Sequence, residues 1–168
     1  ANRGQAAEFS TGFSKFDEMT QGLHRGEMVV IAARPSMGKT AFAMNIAEHI
    51  AVDKKKPVAV FSLEMPTQQL VQRLLCSRAK VNLKKVRDGF LTERDFPALM
   101  SAAGKLAVSK MFIDDTPGLS ILELRAKSRR LKSQHDIEAI FIDYLQLLRS
   151  TSRRAQDNRQ LEIAEISS

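Results

Sequence analysis

The sequence predicts an α/β fold in which a mostly parallel sheet is flanked by helices, and three observations predict it. The first is the stretch 28–40, MVVIAARPSMGKT, where an apolar β-type run (Met28, Val29, Val30, Ile31, Ala32) empties into a polar turn and a helical pattern follows at once. The second is alternation: short apolar runs at 58–63, 111–114 and 139–143 are separated by segments with helical apolar spacing, as in a doubly wound sheet. The third is that each of these runs delivers a carboxylate at or just past its end, Glu64, Asp114 and Asp143, of which Asp143 and Glu64 stand out. In open α/β sheets, ligands bind beyond the carboxyl ends of the strands.

The turn after the first run, Arg34-Pro35-Ser36-Met37-Gly38-Lys39-Thr40, carries the GK[ST] half of a phosphate-binding loop, with Ala33 in place of the usual first glycine. The retained half is the more important one. Backbone N–H groups from Ser36 and Met37 through Gly38, Lys39, Thr40 and Ala41 must converge on an anion, and a glycine lets the chain approach without a Cβ. Lys39 would meet the terminal phosphates, Thr40 would hold Mg²⁺, and the positive end of the following helix favours negative charge. Read blandly, the same residues are a strand, a glycine turn and a helix. The apolar strand before and the helix after favour the phosphate loop.

The remaining elements follow in order. Residues 1–9 are polar and are expected to be a disordered end or linker remnant. Phe13, Phe16 and Met19 space a small amphipathic helix over Ser14–Thr20, closed by Gly22. Behind the loop, Ala43, Ile46, Ala47 and Ile50 form the apolar face of a helix reaching about residue 51, broken by Lys54-Lys55-Lys56-Pro57. The run 58–63 is apolar almost throughout, as a parallel strand covered on both faces must be. Pro66 suits the start of a helix that turns Leu70, Val71, Leu74 and Leu75 inward. A turn or short helix is expected over 82–88. Phe96, Leu99, Met100, Ala103, Leu106 and Ala107 mark a further amphipathic helix, its start blurred by Pro97. Ser120 can cap a basic helix over 121–134 with Ile121, Leu124 and Leu131 inside, and the last strand spans 139–143. Asp114 and Asp115 read best as ordinary polar strand ends.

Composition narrows the class. With 168 residues and 43% hydrophobic content, one domain with an ample core is expected. No apolar run approaches the ~18 residues of a membrane span, and the first residues carry no secretory pattern, which argues for a cytoplasmic protein without a membrane role. Cys76, the single cysteine, can form neither an internal disulfide nor a cysteine-based zinc site and reads as buried and inert; His24, His49 and His135 fall at no ligand spacing. The net charge of +7 invites a polyanion. Arg78, Lys80, Lys84, Lys85 and Arg87 form one cluster, and Arg125, Lys127, Arg129, Arg130 and Lys132 another, both read as solvated helix faces. Arg149, Arg153, Arg154 and Arg159 lie in a polar, aromatic-free loop, which suits phosphate contacts along a single strand.

Thr11-Gly12-Phe13, the ARPSMGKT loop, Phe61-Ser62-Leu63-Glu64-Met65-Pro66, Ile113-Asp114-Asp115-Thr116, Ile142-Asp143-Tyr144-Leu145-Gln146-Leu147 and the segment 157–167 are together similar to the C-terminal motor domain of the DnaB family of bacterial replicative helicases. The resemblance runs from about residue 10 to the end and includes Ala33. It implies a RecA-like P-loop ATPase core, and a hexameric ring that hydrolyses ATP with Mg²⁺ between subunits and moves on single-stranded DNA, with a primase and a loader as partners. Carried over by position, Lys39 and Thr40 are phosphate and Mg²⁺ ligands, Glu64 is the catalytic glutamate and Asp143 the Walker B residue. Gln146 either couples nucleotide state to the DNA loop or is a packed polar side chain.

The resemblance also implies a partial domain over 10–168. Family members continue with a helix, a strand ending in a Ser-Gln sensor and a basic residue that reaches the neighbour's nucleotide, so an apolar gap is expected in the sheet. Other readings stay open: a recombinase-type RecA-like ATPase, or an ATP-gated ring scaffold without turnover.

Overall fold

The computed structural model describes residues 10–24 and 38–143. The expected tail over 1–9, the strand over 28–33 with the sheet gap beside it, Ser36, Met37, Gln146, the arginines 149, 153, 154 and 159, and the segment 157–167 lie outside the described residues.

Helix α1 (Ser14–Thr20) is followed by α2 (Lys39–Glu48), which runs into a π-helical turn (His49–Asp53). Strand β1 (Val58–Ser62) leads through α3 (Thr67–Ala79), α4 (Leu83–Asp88) and α5 (Asp95–Ala107) to β2 (Met111–Asp114); α6 (Ile121–His135) then leads to β3 (Ala139–Asp143). The strands are parallel in the order β2-β1-β3, with Val60 opposite Ile113 on one side and Phe141 on the other. No helix among the described residues is long and apolar enough to cross a membrane.

Strand β1 is buried at every position because both its faces are covered. Ala59 and Phe61 pack against Leu119, Ile121, Leu124 and Ile137 around α6. Val60 packs on the other face against Met44 and Ala47 of α2 and Leu70 and Leu74 of α3. Val58 meets Ile46, Ile50 and Ala51 on that same side. The period-two alternation of the strand thus serves two helical layers at once. Leu70 and Leu74 are buried as expected, while Val71 and Leu75 are only half-buried.

Two expectations about helices need correction. The helix behind the loop ends in a π turn instead of closing as a simple α-helix near residue 51. Helix α5 buries Ala102 and half-buries Leu99 and Leu106, whereas Phe96, Met100, Ala103 and Ala107 of the anticipated inner stripe are exposed. Apolar spacing shows that a helix has a face but not how much of that face its neighbours cover. Pro97 does not blur the start of this helix, because it falls in the first turn, where no intrahelical N–H bond is lost.

Candidate active site

Four polar or charged residues are buried among those described: Thr11, Glu48, Ser62 and Asp143. A buried polar group needs a partner, and the partners divide these four between two places. Glu48 and Thr11 belong to the far end of α2 and to the segment packed on it. Ser62 and Asp143 lie side by side at the carboxyl ends of β1 and β3, in register with one another.

Asp143 faces the start of α2. Residues 58, 60 and 62 of β1 and 139, 141 and 143 of β3 share the sheet face on which α2 packs, and the last of them reaches the helix's first turn. There the Thr40 hydroxyl donates to Asp143 Oδ2 at 2.9 Å, although Asp143 is only 7% exposed. Two residues selected from sequence for one metal ion are thereby brought together.

The helix start is prepared for an anion. Gly38 is the N-cap at φ +74°, a left-handed conformation that favours glycine, and a Cβ added there would meet nothing within 4 Å. It offers no side-chain cap, and no acidic residue lies in the first turn of α2. The leading N–H groups of a helix lack intrahelical acceptors, so the first turn, Lys39, Thr40 and Ala41, carries backbone donors and the positive helix end, which favour an anion. These residues fit a Mg²⁺–nucleotide: an oxygen-only pair, Thr40 and Asp143, beside an uncapped helix start.

Glu64 stands exposed on the bridge from β1 to α3. The bridge is tied down on both sides. Leu63 N–H donates to the Asp143 carbonyl at 2.9 Å, and Ser62 Oγ donates to the Met65 carbonyl at 2.7 Å. At the start of α3, where Pro66 is the N-cap and offers no side-chain cap, Thr67 N–H donates to Asp115 Oδ2 at 2.8 Å.

The ordinary reading of Asp114 and Asp115 fits what they touch. Asp114 accepts from Lys127 Nζ at 2.7 Å and from Thr116 N–H at 2.9 Å. Partial burial opposes its ionisation, but the Lys127 and Thr116 bonds hold the carboxyl below the usual carboxylate range. The Thr67 backbone N–H holds Asp115 low as well. Ser62 escaped the sequence reading because it looked like one more strand residue. Its signal was a lone hydroxyl in an apolar run, two positions before Glu64.

The opposite end of α2 was also missed. Arg78 does not belong to a solvated basic face: Nη1 donates to Glu48 Oε1 at 2.8 Å and Nη2 to Asp53 Oδ1 at 2.9 Å. The bond to Glu48 leads the influences that raise the Arg78 pKa. Partial burial works against the Asp53 charge, but hydrogen bonds from Arg78 and His49 leave its carboxyl below the usual range. His49 bridges Ser10 Oγ (2.9 Å from Nε2) and Asp53 Oδ2 (3.1 Å from Nδ1). Cys76 is buried, and burial pushes its thiol pKa up, away from reactivity.

A parallel sheet with an uncapped helix start beside a strand-end aspartate defines the class: a P-loop ATPase core of RecA-like type. The chain belongs to the DnaB-like helicase C-terminal domain family, whose description matches residues 8–168. It is 48% identical over 165 residues to the replicative DNA helicase DnaC of Bacillus subtilis and 46% identical over 164 residues to the replicative DNA helicase DnaB of Geobacillus stearothermophilus. Each alignment covers 98% of the chain but 36% of the relative, so the chain spans about a third of their length. Among solved structures, a DnaB-like replicative helicase described with its interactions with primase superposes with a TM-score of 0.85 at 36% identity, covering 97% of this chain and 39% of that one.

Proposed function

We propose that the chain is the motor portion of an ATP-dependent replicative DNA helicase. The observation that carries the proposal is the Thr40–Asp143 hydrogen bond, which joins the head of the nucleotide helix to the end of β3. Family membership and the identity to replicative helicases support the same reading. Bound ATP with Mg²⁺ supplies the phosphoanhydride whose hydrolysis drives movement. Gly38, Lys39, Thr40 and Ala41, with Ser36 and Met37, bind and orient the phosphates; Thr40 and Asp143 hold the metal. Glu64 takes the proton from the attacking water, a task that requires hydrogen-bond reach. Single-stranded DNA is gripped through Arg149, Arg153, Arg154 and Arg159, with Gln146 coupling that loop to the nucleotide. Six copies form the cytoplasmic ring, served by a primase and a loader.

The test is ATP hydrolysis by the full-length protein, with and without single-stranded oligonucleotide, at two salt concentrations. The expected result is salt-sensitive stimulation that disappears in Glu64→Gln. Each loop arginine replaced by alanine should reduce the logarithmic salt slope of binding by roughly 0.7. Hydrolysis indifferent to DNA would indicate a RecA-like ATPase of other purpose, and nucleotide binding without turnover a ring scaffold.

A further inference from the structure

Glu64 has to be held at a fixed place, yet its side chain is exposed and the residues around it belong to neither strand nor helix. Four residues, 63–66, separate β1 from α3. An unrestrained bridge of that length would let a carboxylate wander by more than the ångström that costs about 10²-fold in a positioned reaction. The helix that begins behind it gives little local restraint, since Pro66 at its N-cap offers no side-chain cap and no acidic residue lies in its first turn. The cap arrives from elsewhere: Asp115, 48 residues away in sequence, accepts the Thr67 N–H.

Asp115 is itself well anchored. It follows the last residue of β2, and that strand pairs with β1 so that Asp114 stands opposite Phe61. Asp114 closes a turn by accepting Thr116 N–H, while Lys127 of α6 bonds both Asp114 and the Thr116 hydroxyl, the latter at 3.0 Å. A Ser, Thr or Asp at position 66 would cap the helix equally well but tie it only to itself. A cap supplied from beyond β2 fastens the start of α3 to the sheet. Ser62 fastens the other end by holding the Met65 carbonyl. Pro66 adds stiffness by restricting Met65 to extended backbone.

We infer that Asp115 and Ser62 are positioning residues for the hydrolytic reaction: they clamp the 63–66 bridge at its two ends and so fix the place of Glu64. The inference rests on Glu64 being the catalytic carboxylate. Neither residue touches the reacting atoms, and the ordinary alternative is that both merely stabilise α3 and the strand end.

The experiment compares Asp115→Ala, Asp115→Asn, Ser62→Ala and Glu64→Gln in the full-length protein. It measures kcat and KM for ATP, binding of a fluorescent ATP analogue, and the melting temperature. Asp115→Ala and Ser62→Ala are expected to lower kcat by about 10–100-fold while leaving KM and analogue binding within about twofold of wild type. Asp115→Asn, whose amide oxygen still accepts the Thr67 N–H, is expected to keep kcat near wild type. In a Glu64→Gln background, Asp115→Ala should lower the residual rate no further.

An Asp115→Ala protein with normal kcat and a reduced melting temperature would overturn the inference in favour of simple helix capping. Asp115→Asn as slow as Asp115→Ala would also overturn it, because the negative charge and not the bond would then matter. Asp115 is an exposed residue and Ser62 a buried one, so the two lesions reach folding by different routes. A shared kcat loss with binding retained supports the clamp. Full hydrolysis by Glu64→Gln would instead remove the role assigned to Glu64, a separate failure.

Discussion

The two ends of α2 obey opposite rules. At its start, Gly38 leaves the first turn without a side-chain cap, and the Thr40–Asp143 hydrogen bond joins two residues that suit a metal ion. At its far end, the charged side chains bond one another: Glu48 with Arg78, His49 with Ser10 and Asp53, and Asp53 with Arg78 again. The rings of Phe13 and Phe16 then lie against Phe42 and hold the incoming segment alongside the helix. One helix is thus anchored at its back by side chains and begins at its front with no side-chain cap.

The contrast can be broken first at the front. Lys39→Ala should lower ATP turnover by about 10²–10³-fold, the loss typical of removing one preorganised charge-stabilising group. Its melting temperature should fall by less than that of the far-end variants below; steady-state kinetics and calorimetry check the two halves together. Thr40→Ser, which keeps the hydroxyl toward Asp143, should retain far more activity than Thr40→Ala.

At the back the signs reverse. Arg78→Ala leaves Glu48 buried without its counter-charge and should cost about 3 kcal/mol of stability, read from urea denaturation, with ATP affinity in the surviving folded fraction unchanged. Gly12→Ala should cost about 2 kcal/mol, because a Cβ there would stand 3.0 Å from the His49 ring carbon at a backbone φ of +84°. The smallest effect concerns acid. The Asp53 carboxyl is held low in the folded state, so its contribution is present above the ordinary aspartate pKa and is lost as pH falls through the lower folded value. Asp53→Asn should therefore flatten the acid limb of the stability curve. With Asp53 largely solvent-facing, the difference should stay below about 1 kcal/mol.

The front was legible in the sequence and the back was not. Gly38, Lys39, Thr40 and Asp143 stand out because a GK[ST] turn and a strand-end carboxylate are recognisable patterns, and the described strands are apolar enough to locate within a residue. Helix α1 fell where Phe13, Phe16 and Met19 placed it, and Ser120 caps α6 as expected, within a capping box completed by Glu123. The π turn over His49–Asp53 left no trace, since widening one turn changes no local preference strongly. Arg78 looked like its basic neighbours because its partners lie 25 and 30 residues away. Asp115 shows the same blindness: a cap is recognised by sequence only when it sits beside the helix it serves.

The hydrogen bond between Thr40 and Asp143 also has a history within each molecule. It closes a loop of 103 residues, and the strand that carries Asp143 is the last of the described sheet to leave the ribosome. At about 5–20 residues per second, some 5–20 s of synthesis separate its two ends. Strands β1 and β2 and the helices between them are synthesised within that interval, ahead of α6 and β3, which complete the cover of β1. A growing chain therefore lays down β1 and β2 before Asp143 exists to meet Thr40.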